Sequence, residues 1–456
     1  MSRAVGARIL AIFAVVLLAF VYDIRSSGHP DHIITLTVVQ GLIDNNNFLT
    51  SWHKFDLPEH FKYGQTNFAG YHTVLAGILM AFGVDAVTEK SLHLFSELFV
   101  VAFAALLAVL LIHRKAALTL VIFLPFVFMM NFQVFQDAQY YRPESFTGLV
   151  FAVFCWGLYS HHPLASMLVA ITFAILVATK ISFLMFGPVL LVYAWAHRDN
   201  VATIAAAALL CICTVFLLNQ SILFEFEYFR NGIVALIDQY GGGHPPHGLP
   251  DGSLFERLLY SLHYQLVSNG LFIFFAAFGF LHKDPVVKAL SGNLLIAIFY
   301  FSTKGVYFER NLSFLNWGAA LMLAMTALPP RWVNPWLIAS CSVSLINIFN
   351  FHEVSGLKHS QQVPLYDKPV KYVNWAFDSE SIATAVSNEP DYYIGLPTAG
   401  HPLFWSALNN TASVAIVDYI PSRFWYFPPS TVHTYHNPGI VILTTRLMFN
   451  AGVLSW

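Results

Sequence analysis

Stretches of uncharged, apolar residues close to the length of a bilayer crossing recur along this chain, and they limit its fold more than any other feature. A helical span needs about 20 such residues, because the hydrocarbon core holds no water and the backbone must satisfy its own hydrogen bonds there. Blocks approaching that length run approximately over 9–22, 94–112, 118–135, 146–159, 164–178, 183–196, 202–218, 266–281, 286–301, 312–328 and 333–349. Charged residues make up 11% of the chain and hydrophobic residues 57%, whereas a soluble domain carries about a quarter charged residues. The expected fold is an all-α polytopic membrane body of about eleven transmembrane helices. A net charge of -2, with no basic run, gives no reason to expect a nucleic-acid partner. Cys155, Cys211, Cys213 and Cys341 all fall inside apolar blocks, so no disulfide framework is expected.

Flanking charge orients the spans. The first block follows Arg3 and Arg8 and is succeeded by Asp23, Ile24 and Arg25 instead of a small-residue cleavage site, which reads as an uncleaved signal anchor with its N-terminus inside. The loop 24–90 is then outside. Alternation puts His113-Arg114-Lys115, His197-Arg198, His282-Lys283 and Arg331 inside, as the positive-inside rule asks of short loops. Arg25, Lys54, Lys62, Arg230 and Arg257 are left to longer external loops. Counting the apolar block 68–82 as a full span would invert every later loop, so it reads as a juxtamembrane or re-entrant helix near the outer face. After Asn350 the chain becomes mixed and aromatic, with "ASVAIVDYI" and "GIVILTTRL" as β-rich runs between Pro and Gly punctuation. The expected organisation is a membrane body over 1–351 and a small extracytoplasmic α/β domain over 352–456.

Ionisable residues at a membrane edge are functional candidates by default. Under this topology they gather at the outer ends of the helices. Asp31, in "HPDHIITLTVVQGL", precedes Ile34, Val38 and Leu42 at helical spacing, which sets its carboxylate at a helix N-terminus where the dipole favours it. A plain N-cap of a surface helix is the alternative. "QDAQYYRPES" holds Asp137, Arg142 and Glu144 between two spans, either as a solvated turn with an internal ion pair or as a group facing Asp31. Lys180, in "VATKISF", either snorkels to the interface or serves as a cation for a lipid phosphate. "KGVYFERNLSF" carries Lys304, Glu309 and Arg310 at the start of a late span, and an Arg fork suits phosphate. "EFEYFRNGIVALI" is amphipathic and suited to the membrane surface. "GGGHPPHG" holds His244 and His247 in a Gly- and Pro-rich loop that fixes no ligand geometry.

The order of these segments resembles the GT-C glycosyltransferases: an outer-loop acid, a "YGQTNFAGYHTVLAGILMAFG" helix, a "YYRPESFTGL" turn, an "ATKISFL" lysine and an "ERNLSFLNWGAAL" late helix. That superfamily includes the protein O-mannosyltransferases and the aminoarabinose transferases of lipid A. The resemblance implies transfer of a sugar from a polyprenyl-phosphate donor to a glycan, lipid or protein acceptor on the extracytoplasmic face. It implies Asp31 as the catalytic base, Glu144 as a second catalytic carboxylate that orients the acceptor or helps Asp31, Lys180, Arg310 and Arg142 as donor-phosphate cations, and His32, Tyr63, Tyr141, His244 and His247 as substrate contacts. His32 stands where the family often has a second acidic residue, and Gln65-Thr66 where it often has a proline pair. No cofactor is assigned, and a divalent metal ion stays open. The expected location is a bacterial inner membrane with the site facing outward, since no retention signal of the endoplasmic reticulum ends the chain. That reticulum membrane is the alternative.

Two other classes compete. A transporter or flippase would show paired broken helices and midplane charge, which the sequence lacks. A membrane scaffold has no reason to bring Asp31 and Glu144 into one outward cavity.

Overall fold

The computed structural model describes residues 70–83, 89–139, 143–160, 162, 164–219, 221–224, 226–238, 279–303 and 312–326, single positions within 39–43, 254–262 and 335–342, and five short strands between 371 and 444. Asp31, His32, Tyr63, Tyr141, Arg142, His244, His247 and Arg310 lie outside the described residues, as do the block 9–22 and most of 266–281 and 333–349. The chain divides into two units, one of Met1–Ile24, Val39–Leu49 and Tyr63–Leu345, the other of Arg25–Val38, Thr50–Lys62 and Ile346–Trp456.

In the larger unit the described helices are α1 (Gly70–Ala81), α2 (Glu89–His113), α3 (Leu118–Met130), α4 (Phe132–Gln139), α5 (Pro143–Tyr159), α6 (Ala165–Thr179), α7 (Gly187–Ala196), α8 (Val201–Leu218), α9 (Ser221–Phe224), α10 (Phe226–Asp238), α11 (Pro285–Ser302) and α12 (Phe314–Thr326). Their ends are written in the sequence. Asn131 splits the apolar block 118–135, because its Oδ1 accepts from Gln133 N at 3.1 Å and Val134 N at 3.2 Å. That is an N-cap, and it starts α4 as a new helix. Asp284 caps α11 by accepting from Val286 N at 2.8 Å, with Pro285 in the first turn, where its fixed φ is already helical. Lys180 ends α6 in an extended conformation (φ -145°, ψ 118°) and a 3-10 turn over Ile181–Phe186 follows.

Successive helices run up and down between two ends. At one end Gly70 meets the Ala178 backbone, Thr73 Oγ1 donates to Leu218 O at 3.5 Å, and the residues that lead into α4 and α12 come together. At the other end Arg114 and Tyr159 both reach Met325 O. Between the ends, Trp317 of α12 is fully buried against Phe103 of α2 and Phe128 of α3, with ring centres 5.1 and 5.0 Å away. Phe151 of α5 packs on Phe314 at 4.8 Å and on Phe186 at 4.9 Å. Two glycines permit this closeness: a Cβ at Gly148 would enter the Trp317 indole, and one at Gly318 would enter the Phe151 ring. Small residues are how helices approach in lipid, where apolar area alone gives no preference for helix over tail.

Among the described helices, two have the length and composition to cross a bilayer unaided, Phe95–His113 within α2 and Val201–Leu218. The other apolar helices measure 10–17 residues. Leu209, Ile212 and Leu217 of α8 stand exposed, a surface suited to hydrocarbon.

In the smaller unit, β1 (Lys371–Tyr372), β2 (Tyr393–Gly395), β3 (Val414–Asp418), β4 (Thr434–Asn437) and β5 (Ile440–Thr444) form one sheet in the order β1-β2-β3-β5-β4. The first three pairings are parallel, and β4 joins β5 antiparallel. Both β-rich runs of the sequence are strands here, β3 and β5, in parallel register from Val414↔Ile440 to Asp418↔Thr444.

Candidate functional site

Glu144 is the second residue of α5, behind a proline that starts the helix. Lys180 is the residue on which α6 ends. Helix dipoles favour a carboxylate in a first turn and a cation past a last turn, so each charge sits where its own helix stabilises it. The antiparallel course of α5 and α6 then brings the two together. Lys180 Nζ donates to Glu144 Oε1 at 2.8 Å, with the glutamate side chain 4% exposed and the lysine 22%. Snorkelling is thus not the whole account of Lys180: it reaches a buried carboxylate 36 residues away in sequence.

Helix α1 closes one side of this pair. Gly70 lies so near the end of α6 that a Cβ there would be 2.7 Å from the Ala178 carbonyl carbon. Tyr71 and His72 follow, both buried, and Tyr71 packs on Phe146 with ring centres 5.5 Å apart. His72 Nδ1 is buried with no hydrogen-bond partner among the described residues. Within the block 68–82, Gly70–Ala81 therefore forms a short helix against the Glu144–Lys180 end of the bundle.

A second polar group lies at the same end, around Asp137, whose partners the sequence did not single out. Asp137 accepts from Gln133 Nε2 at 2.9 Å through Oδ1 and from Ser313 Oγ through Oδ2. Asn316 Nδ2 donates to Asn131 Oδ1 at 3.4 Å. All five side chains are buried. Asp137 is thus no part of a solvated turn: "QDAQ" is helical, and its acid ties α4 to the turn that enters α12. The spacing of Gln133 and Asp137, one helical turn apart, is the signal that marks it.

Of the sequence-derived candidates, the structure brings Glu144 and Lys180 together, while the remaining eight lie outside the described residues. Among the described residues no group of three or more His, Cys, Asp or Glu side chains could hold a metal ion.

This succession of helices, in which a buried ion pair sits where α5 begins and α6 ends, is a fold found in solved structures. Two solved structures of ArnT from Cupriavidus metallidurans share it: the form bound to undecaprenyl phosphate, at TM-score 0.52 and 13% identity over 80% of this chain and 68% of that one, and the apo form, at TM-score 0.53 and 14% identity over 80% and 67%. No family model matches the chain, and no curated protein matches it in sequence. The likeness is one of fold.

Proposed function

We propose that this chain is an integral membrane glycosyltransferase that moves a sugar from a polyprenyl-phosphate donor to an acceptor at the bundle end where Glu144 meets Lys180. The observation that carries the reading is that ion pair: a lysine held at one end of the bundle by a buried carboxylate, in a fold shared with a protein solved with undecaprenyl phosphate bound. In the reaction an acceptor hydroxyl or amine attacks the anomeric carbon and loses its proton to Asp31. The bond from that carbon to the phosphate oxygen breaks, and its electron pair leaves on the polyprenyl phosphate. Charge grows on that phosphate as the bond lengthens, so cations aimed there stabilise the transition state more than the ground state. Lys180, Arg142 and Arg310 fill that role. Glu144 holds the Lys180 ammonium in position and lines the acceptor side, with His32, Tyr63, Tyr141, His244 and His247 as further contacts to substrate. The membrane is that of a bacterial cell, and the site faces away from the cytosol.

The test is transfer in vitro from a panel of labelled polyprenyl-phosphate sugars. The native chain is expected to turn over at least one donor. Asp31→Asn is expected to lose transfer by about a hundredfold or more, the range of a general base. Equal turnover by both would remove Asp31 from its role. Movement of lipid across vesicles without any transfer would point to a flippase instead.

A further inference from the structure

The opposite end of the larger unit carries a group of cations that the proposed reaction does not use. Arg114, just past α2, donates from Nη1 to Met325 O in the last turn of α12, and its guanidinium lies 5.8 Å from the centre of the Tyr159 ring. The Tyr159 hydroxyl donates to the same carbonyl at 3.5 Å, and its ring stands 5.9 Å from the His282 imidazole. Tyr159 therefore joins the loop 113–118 to the loop 279–285. Lys115 and Lys283 follow Arg114 and His282 in sequence, and both are exposed. The one acid in the loops 113–118, 159–164 and 279–285 is Asp284, whose carboxylate is engaged in capping α11.

Within these three loops the positive charge meets no other acid, and it has an apolar border. Leu118, Leu164, Phe280 and Leu281 at these helix ends are all exposed, Leu281 at 71%. The capping bond uses one of the five donors of the exposed Arg114 fork. A preference for cations in short loops accounts for their presence; it does not account for an aromatic side chain that locks two of those loops together beneath them. Phosphate alone would engage the cations and leave the apolar border without a partner. An amphiphile with a phosphate and acyl chains engages both.

We propose that this end of the bundle binds the phosphate headgroup of an anionic phospholipid between Arg114, Lys115 and Lys283, with the acyl chains against Phe280 and Leu281. The site lies apart from the Glu144–Lys180 end and does not depend on the glycosyl-transfer reading.

The full-length chain in detergent is titrated with phosphatidylglycerol, phosphatidylcholine or inorganic phosphate, and bound molecules are counted by native mass spectrometry. The wild type is expected to retain phosphatidylglycerol over phosphatidylcholine. The double variant Lys115→Gln/Lys283→Gln is expected to lose that preference by about thirtyfold, each lysine contributing a near-surface attraction to anionic lipid. Both lysines are exposed, so the variant keeps the thermal unfolding midpoint of the wild type, which separates lost binding from lost fold. Equal retention of the two lipids by the wild type, or an undiminished preference in the double variant, overturns the proposal. Inorganic phosphate bound as tightly as phosphatidylglycerol overturns the lipid assignment in favour of a free anion.

Discussion

Glu144 and Lys180 illustrate how a buried charge is kept at an end of a helical bundle. Each is favoured by the dipole of its own helix, and each neutralises the other, so the desolvation that either alone would suffer is offset twice. Removing one partner leaves the other stranded. Lys180→Met is expected to cost about 3 kcal/mol, the scale for one member of a buried pair, read as a lower midpoint of thermal unfolding in detergent. Adding Glu144→Gln should recover most of that loss. A double variant as unstable as Lys180→Met would mean that the lysine stabilises through packing of its stem instead. Both residues were legible in the sequence, because a charge that interrupts an apolar block is conspicuous. Their pairing was not legible, since it depends on where α5 and α6 begin and end. Asp137 was misread for a related reason: beside Arg142 and Glu144 it looked like one charge among several in a turn.

Helix boundaries carry the next layer of information. The apolar blocks 94–112, 146–159, 164–178, 202–218 and 286–301 correspond to α2, α5, α6, α8 and α11, because a long apolar run in this composition has one viable backbone form. The block 118–135 does not correspond to one helix. Hydropathy alone passes over Asn131, whereas its capping bonds start α4 as a separate helix. Where helices touch, the small residues decide. Gly148→Ala is expected to cost about 1–3 kcal/mol, as overpacking does, since the added methyl enters the Trp317 ring. Gly77, with nothing within 4 Å of its Cβ direction, is the control: Gly77→Ala should stabilise by up to about 1 kcal/mol through helix propensity. The two unfolding midpoints should move in opposite directions.

For the whole molecule, the up-and-down course makes a prediction about sidedness. Lys115 and Lys283 belong to one end, and Thr303 to the end shared by Lys180. With the four native cysteines replaced, Lys115→Cys and Lys283→Cys should react with a membrane-impermeant maleimide from the same side of sealed vesicles, and Thr303→Cys from the other. Labelling of all three from one side would contradict the alternation. The expected number of spans rests on segments beyond the described helices, whereas the alternation of α2, α3, α5, α6, α7 and α8 follows from their contacts.

The bond between Lys180 and Glu144 has one more implication. An ammonium gripped by a carboxylate is a cation already in use, so any phosphate that claims it competes with a resident anion. Linkage makes that competition mutual: the tighter a newcomer holds the lysine, the looser its bond to the glutamate becomes, and a carboxylate paired in the empty protein is left to engage whatever arrives beside the lipid.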